Sequence, residues 1–113
     1  MYSDDPTRIR HMRDATREAM GFAAGQTRDD LHSDRMLALA LMTCIEIIGE
    51  AATHVSPQFR ATPPEVSWQD AIDMRNRLVH VYFSIDVDVV WDTIITDLPP
   101  LLTVLDKIVA ELN

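Results

Sequence analysis

The stretch "RNRLVHVY", residues 75–82, gathers two arginines, an asparagine, a histidine and a tyrosine within a segment that otherwise reads as helix. Histidine is the side chain that gains or loses a proton near neutral pH. Beside an arginine it suits phosphodiester cleavage. His80 can take the proton of a ribose 2′-hydroxyl or return one to the leaving oxygen. Arg75 can hold the charge that builds on the phosphorane oxygens. That chemistry asks for no metal and no cofactor.

Helix geometry decides which of these groups can share a pocket. At about 100° per residue, Asn76 and His80 stack on one face, roughly 40° apart, and Asp73 joins them. Arg75 and Tyr82 are seven residues apart and share a second face. Arg75 and His80 lie about 140° apart around the axis. That is too wide for two short side chains, but a guanidinium on a long stem can wrap toward the imidazole. Tyr82 falls near the helix end, so Arg75, His80 and Tyr82 can edge one pocket. An Arg/His/Tyr group on a helix is more often an interfacial hydrogen-bond network, and spacing by itself leaves both readings open.

The elements that must position these residues are helices. Asp5-Pro6 reads as an N-cap followed by proline at the first helical position. Ile9, Met12, Ala19, Met20 and Ala23 then recur at helical spacing, Thr16 fills the gap in that stripe, and Gly25 stops the run. A second helix is expected from Asp30 to Ser56. Its middle is apolar on nearly every face, which predicts a buried central helix and, in a bundle this small, a homodimer to cover what remains. Pro57 is expected to end it, and "PQFRATPPEVS" to be a loop. Ser67 and Asp70 resemble a capping box ahead of a third helix, which carries Ile72, Leu78, Val79 and the motif. Asp86 or Asp88 can cap a fourth helix through Val89, Val90, Ile94 and Ile95. Pro99-Pro100 is expected to break it and start the last run, Leu101 to Leu112. A strand over "LVHVYFSIDVDVVW" competes, but it would have no partner strand. The expected fold is therefore all-α, an antiparallel up-and-down bundle of four to five helices in one domain over residues 1–113.

The chain has 113 residues and a net charge of −8. A protein that coats nucleic acid is basic, because phosphate contacts dominate such binding, so any RNA contact must be local. Basic charge comes as arginine except for Lys107. Six of the ten basic residues (Arg8, Arg10, Arg13, Arg17, Arg28, Arg35) precede residue 36; Arg60, Arg75 and Arg77 follow. Arginine favours planar contacts with phosphate or carboxylate, though a GC-rich genome produces the same bias. Cys44, the single cysteine, sits in "LALALMTCIEIIG" and reads as a buried thiol. With no apolar stretch at the start and the run from Met36 to Gly49 broken by Thr43 and Glu46, neither a signal peptide nor a membrane span is expected. A cytoplasmic protein is.

Other residues of the chain also bear groups capable of chemistry. His11, His32 and His54 with His80 lack the close spacing of a metal site, and solvated or capping histidines are the expectation. Glu46 and Glu50 form an i,i+4 carboxylate pair in an apolar helix. They suit acid/base work or, better, ion pairs with Arg75 or Arg77. Trp68 and Trp91 read as half-buried core or dimer contacts.

"MRNRLVHVY" resembles the Arg-x4-His-x-Tyr motif of the HEPN domain family, in the form found in HepT-like ribonuclease toxins. Arg75, His80 and Tyr82 fall on the motif positions, and Asn76 matches the polar residue after its arginine. "EIIGEAATHVS" resembles the family's second-helix segment, "PPEVSWQDAIDMRNRLVHVYF" its motif region and "IDVDVVWDTIITDLPPL" its sequel. Asp73 departs from the pattern, where the family often has glycine, and adds a carboxylate near His80. The resemblance implies a metal-independent endoribonuclease toxin acting as a homodimer, with motif helices of two subunits lining a shared cleft. It also implies a nucleotidyltransferase-type (MNT) antitoxin that silences the toxin by adding AMP to Tyr82. The alternative is a non-catalytic HEPN module that uses the same motif to bind nucleotide or a partner protein.

Overall fold

A computed structural model describes residues 4–61, 68–79 and 86–112, with residues 77–79 described by their backbone alone. No strand occurs among the described residues. Helix α1 spans Asp5–Ala23, α2 Arg28–Ser33, α3 Arg35–His54, α4 Pro57–Arg60, α5 Trp68–Val79 and α6 Val87–Asp92; a π-helical segment, Thr93–Asp97, leads into α7, Leu98–Leu112. The all-α expectation holds. The motif positions His80 and Tyr82, and the expected cap at Ser67, lie outside the described residues.

The core is built on α1 and α3. Ile9 and Met12 of α1 share one core with Leu41, Ile45 and Ile48 of α3, all fully buried. Thr16 keeps its place in the α1 stripe by donating its hydroxyl to the Met12 carbonyl at 2.6 Å, so the one polar group there is satisfied. The pair is antiparallel. Asp5, at the start of α1, accepts from both the backbone N–H (2.9 Å) and the hydroxyl (2.5 Å) of Ser56, just past the end of α3. This corrects the expected capping role of Asp5. The cap position is Asp4, without a side-chain bond, and the Asp5 carboxylate ties two helix ends together instead. Helix α5 packs on α3, and α7 on α1. Cys44 is buried, and burial first, then the Glu18 carboxylate, pushes its thiol up to about 11. It is an inert core group.

Three expected boundaries differ. The helix from Asp30 to Ser56 is two helices. A capping box, in which the Thr27 hydroxyl accepts from Asp30 N–H and the Asp30 carboxylate from Thr27 N–H, starts α2 early. Asp34 then leaves helical conformation and caps α3 by accepting from Leu37 N–H at 3.1 Å. Aspartate's short carboxylate competes for backbone N–H groups in this way. Pro57 does not open a loop: it sits in the first turn of α4, which Ser56 caps, the helical position that tolerates a ring in place of N–H. The proline pair Pro99-Pro100 does not break the last helix. Proline withholds the donors that the carbonyls four residues back would take, and the chain answers with the wider π turn before the pair while staying helical.

Arginine's preference for carboxylates is realised between elements. Arg17 pairs with Asp106 of α7 at 2.8 Å, and Arg28 with Asp88 and Asp92 at 2.9 and 2.7 Å. Arg60 donates to the Val55, Ala52 and Thr53 carbonyls that α3 leaves open at its end. Helix α3 is 20 residues long and apolar enough to cross a membrane by length and composition, but it packs here as the central core helix between α1 and α5. It is not buried all round, as its sequence suggests: Met36 is 80% exposed, Leu39 and Ile47 about half as much.

Candidate active site

Arg75 is held over α3 by two features of that helix. The first is Gly49. A Cβ at this position would lie 2.4 Å from the Arg75 Cβ and 3.3 Å from the Ala71 carbonyl oxygen. Only glycine lets α5 approach this closely, so the stem of Arg75 crosses bare backbone. The second is Glu50, whose Oε2 stands 3.4 Å from Arg75 Nη1. Both partners are partly exposed, so the ion pair adds little stability. What it does is aim the guanidinium.

Glu50 also faces the other way, with Oε1 3.6 Å from His54 Nδ1. His54 Nδ1 lies 2.9 Å from the Glu50 backbone carbonyl. A carbonyl can only accept, so Nδ1 is the donor in this bond. Arg75, Glu50 and His54 thus form one polar row across the face of α3. The expectation that Glu46 and Glu50 pair with Arg75 or Arg77 holds for Glu50, which meets Arg75. Both carboxylates are exposed, not buried as their apolar surroundings implied.

The row lines a cleft of about 540 Å³ between α1 and α3. Arg8 and His11 enter it from α1, Glu46 and Ile47 from α3. Asn76, next to Arg75, is exposed. Asp73, expected beside His80, accepts from Gln69 Nε2 at 3.0 Å one turn back on α5. His32 pairs with Asp88 at 3.1 Å, away from the cleft. Among the described residues no group of three His, Cys, Asp or Glu side chains could hold a metal ion.

Sequence reading missed Arg8, His11, His54 and Gly49 as site residues. For His54 a signal was present: Glu46, Glu50 and His54 recur at i,i+4 spacing on one helix face. Arg8 and His11 carry no such signal, because only the packing of α1 on α3 brings them to Arg75.

Residues 12–108 match the family model described as Ribonuclease HepT-like. A protein named "Probable ribonuclease HepT" from Thermococcus cleftensis is 37% identical over 73 residues, covering 65% of this chain and 66% of that protein. A "Putative RNase" from Caldanaerobacter subterraneus subsp. tengcongensis is 34% identical over 77 residues, 68% of this chain and 69% of that protein. A Methanocaldococcus jannaschii protein named "Gamma-glutamylcyclotransferase and putative RNase" is 28% identical across 100% of this chain but 51% of its own length. The chain therefore spans about half of that relative and about two thirds of the other two. No solved structure matches.

Proposed function

Because this chain belongs to the HepT-like ribonuclease family, we propose that it is a metal-independent endoribonuclease, the toxin of a toxin–antitoxin pair, cutting RNA in the cytoplasm with Arg75 and His80. The observation that carries this reading is Arg75, seated on Gly49 and aimed by Glu50 at the edge of an open cleft. The 2′-hydroxyl oxygen of one ribose attacks the adjacent phosphorus. The new O–P bond forms as the P–O5′ bond breaks, leaving a 2′,3′-cyclic phosphate and a 5′-hydroxyl. One imidazole takes the 2′-hydroxyl proton and another protonates the departing 5′-oxygen. Arg75 stabilises the equatorial phosphorane oxygens.

Two imidazoles are available if two chains share the site. A homodimer is supported by the exposed Met36 and Leu39 of α3, apolar surface of the kind that a partner covers. The test of the activity is cleavage of RNA by the purified chain in excess chelator. Cut strands bearing 5′-hydroxyl ends are the expected result. Intact RNA would favour a non-catalytic module that binds through the same motif.

Tyr82 is the proposed site of silencing. Attaching AMP there sets a phosphodiester beside the arginine and histidine of the motif. Arg75 then pairs with that phosphate, and the nucleoside fills the space RNA needs. After co-expression with the nucleotidyltransferase-type antitoxin, mass spectrometry should find the added mass on Tyr82, and Tyr82→Phe should resist neutralisation by that route. Added mass on any other residue would sink the assignment.

A further inference from the structure

We propose that the cleft between α1 and α3 seats a ribonucleotide of the substrate strand beside the one being cut, its phosphate held by Arg8 and its ribose 2′-hydroxyl by Glu46. The proposal rests on the ribonuclease reading and adds to it a substrate-binding site remote from the motif in sequence.

Arg8 is the first observation. Its Nε is buried and has no hydrogen-bond partner among the described residues. A buried donor left unpaired is costly, and the same side chain lines the cleft. Arg13, Arg17 and Arg28, by contrast, are engaged by aspartates. A planar guanidinium is suited to the paired oxygens of a phosphodiester.

The carboxylates argue for a whole nucleotide instead of a bare phosphate. A site for phosphate alone would not place Glu46 and Glu50 on its wall, since like charges repel. Glu50 is compensated by Arg75, with His54 on its other side. Glu46 has no such partner among the described residues, and a carboxylate accepts well from a ribose hydroxyl. The 2′-hydroxyl is the group by which a protein tells RNA from DNA. Size fits as well: about 540 Å³ lies within the ordinary range of small-ligand sites. Arg75 lines the same cleft, so a nucleotide seated on Arg8 shares that cleft with the proposed reacting phosphate. His11 stands on the Arg8 side, where it can donate to the same phosphate.

The experiment is strand binding in the His80→Ala background, which should hold RNA without cutting it. Adding Arg8→Gln should weaken binding of a short RNA about ten-fold, the usual loss for one charge-assisted hydrogen bond. It should also lower the slope of log K against log salt by roughly 0.7, one phosphate contact on a single strand. Glu46→Ala removes a repelling charge as well as an acceptor, so the clean readout is a ratio: preference for RNA over the all-deoxy strand should fall. Circular dichroism confirms the fold of each variant, and Arg8→Met, which removes the charge and keeps most of the stem, replaces the glutamine variant should that one not fold. Unchanged affinity and salt slope on loss of Arg8, or an unchanged RNA-to-DNA ratio on loss of Glu46, would overturn the proposal. So would AMP competing as tightly as the strand binds, which would assign the cleft to free nucleotide. Wild-type cleavage of the same RNA is measured alongside. If the strand is never cut, the ribonuclease reading fails, while the binding measurements still decide the cleft.

Discussion

Replacing His80 with alanine should slow RNA cleavage by roughly 10² to 10⁴, the usual contribution of a positioned acid or base. Replacing Arg75 should cost about 10² to 10³, as for loss of one electrostatic stabiliser. Neither loss should come from unfolding. The Arg75 side chain is 36% exposed and its partner Glu50 55% exposed, so truncation leaves no large cavity and strands no buried charge. An exposed pair of this kind is worth about 0–1 kcal/mol, small against the roughly 5–15 kcal/mol that holds a domain together. Rate and thermal stability should therefore separate: cleavage collapses while the melting temperature barely moves. If either purified variant cut RNA at the wild-type rate, the assigned roles of these two residues would be wrong.

Gly49→Ala should be both destabilising and inactivating, against the ordinary sign of that substitution. In the middle of a helix, alanine is normally better than glycine by about 0.5–1 kcal/mol, since the unfolded chain loses less freedom. At Gly49 the new methyl would stand 2.4 Å from the Arg75 Cβ and 3.3 Å from a backbone oxygen of α5. Neither is the free end of a flexible side chain, so α5 must move off α3. Overpacking of this kind costs about 1–3 kcal/mol, which outweighs the propensity gain. The displaced element carries Arg75, and a shift of about 1 Å in a reacting group can lower a rate by roughly 10². Gly21→Ala is the matched control: nothing lies within 4 Å of its added Cβ, so that variant should gain stability. Chemical denaturation and cleavage rates of the two variants decide the matter. A Gly49→Ala protein that is more stable than wild type and fully active would rule out the close approach as a requirement of the site.

Much of this was legible in the sequence. The α1 stripe with Thr16 in its gap and the cap at Asp86, one of two candidates, follow from residue type and local spacing. These are properties of one helix or one turn, set by atoms a few residues apart. Even so, local competition moved boundaries. Asp34 took a backbone donor and split a helix, Ser56 capped one where a loop was expected, and a π turn absorbed the loss of two proline donors.

Tertiary structure alone decided which faces meet. Arg8 and Arg75 belong to different helices, and no periodicity relates them; they line one cleft because α1 lies antiparallel on α3 and α5 crosses α3 at Gly49. The same packing decided that α3, apolar nearly all round, would bury Leu41, Ile45 and Ile48 and leave Met36, Leu39 and Ile47 on the surface. Hydrophobic burial has no direction of its own. A helix with more apolar surface than its neighbours can cover is oriented by what they offer, and here the close contacts at Gly49 and the polar row of Glu50, Arg75 and His54 fix which side faces out.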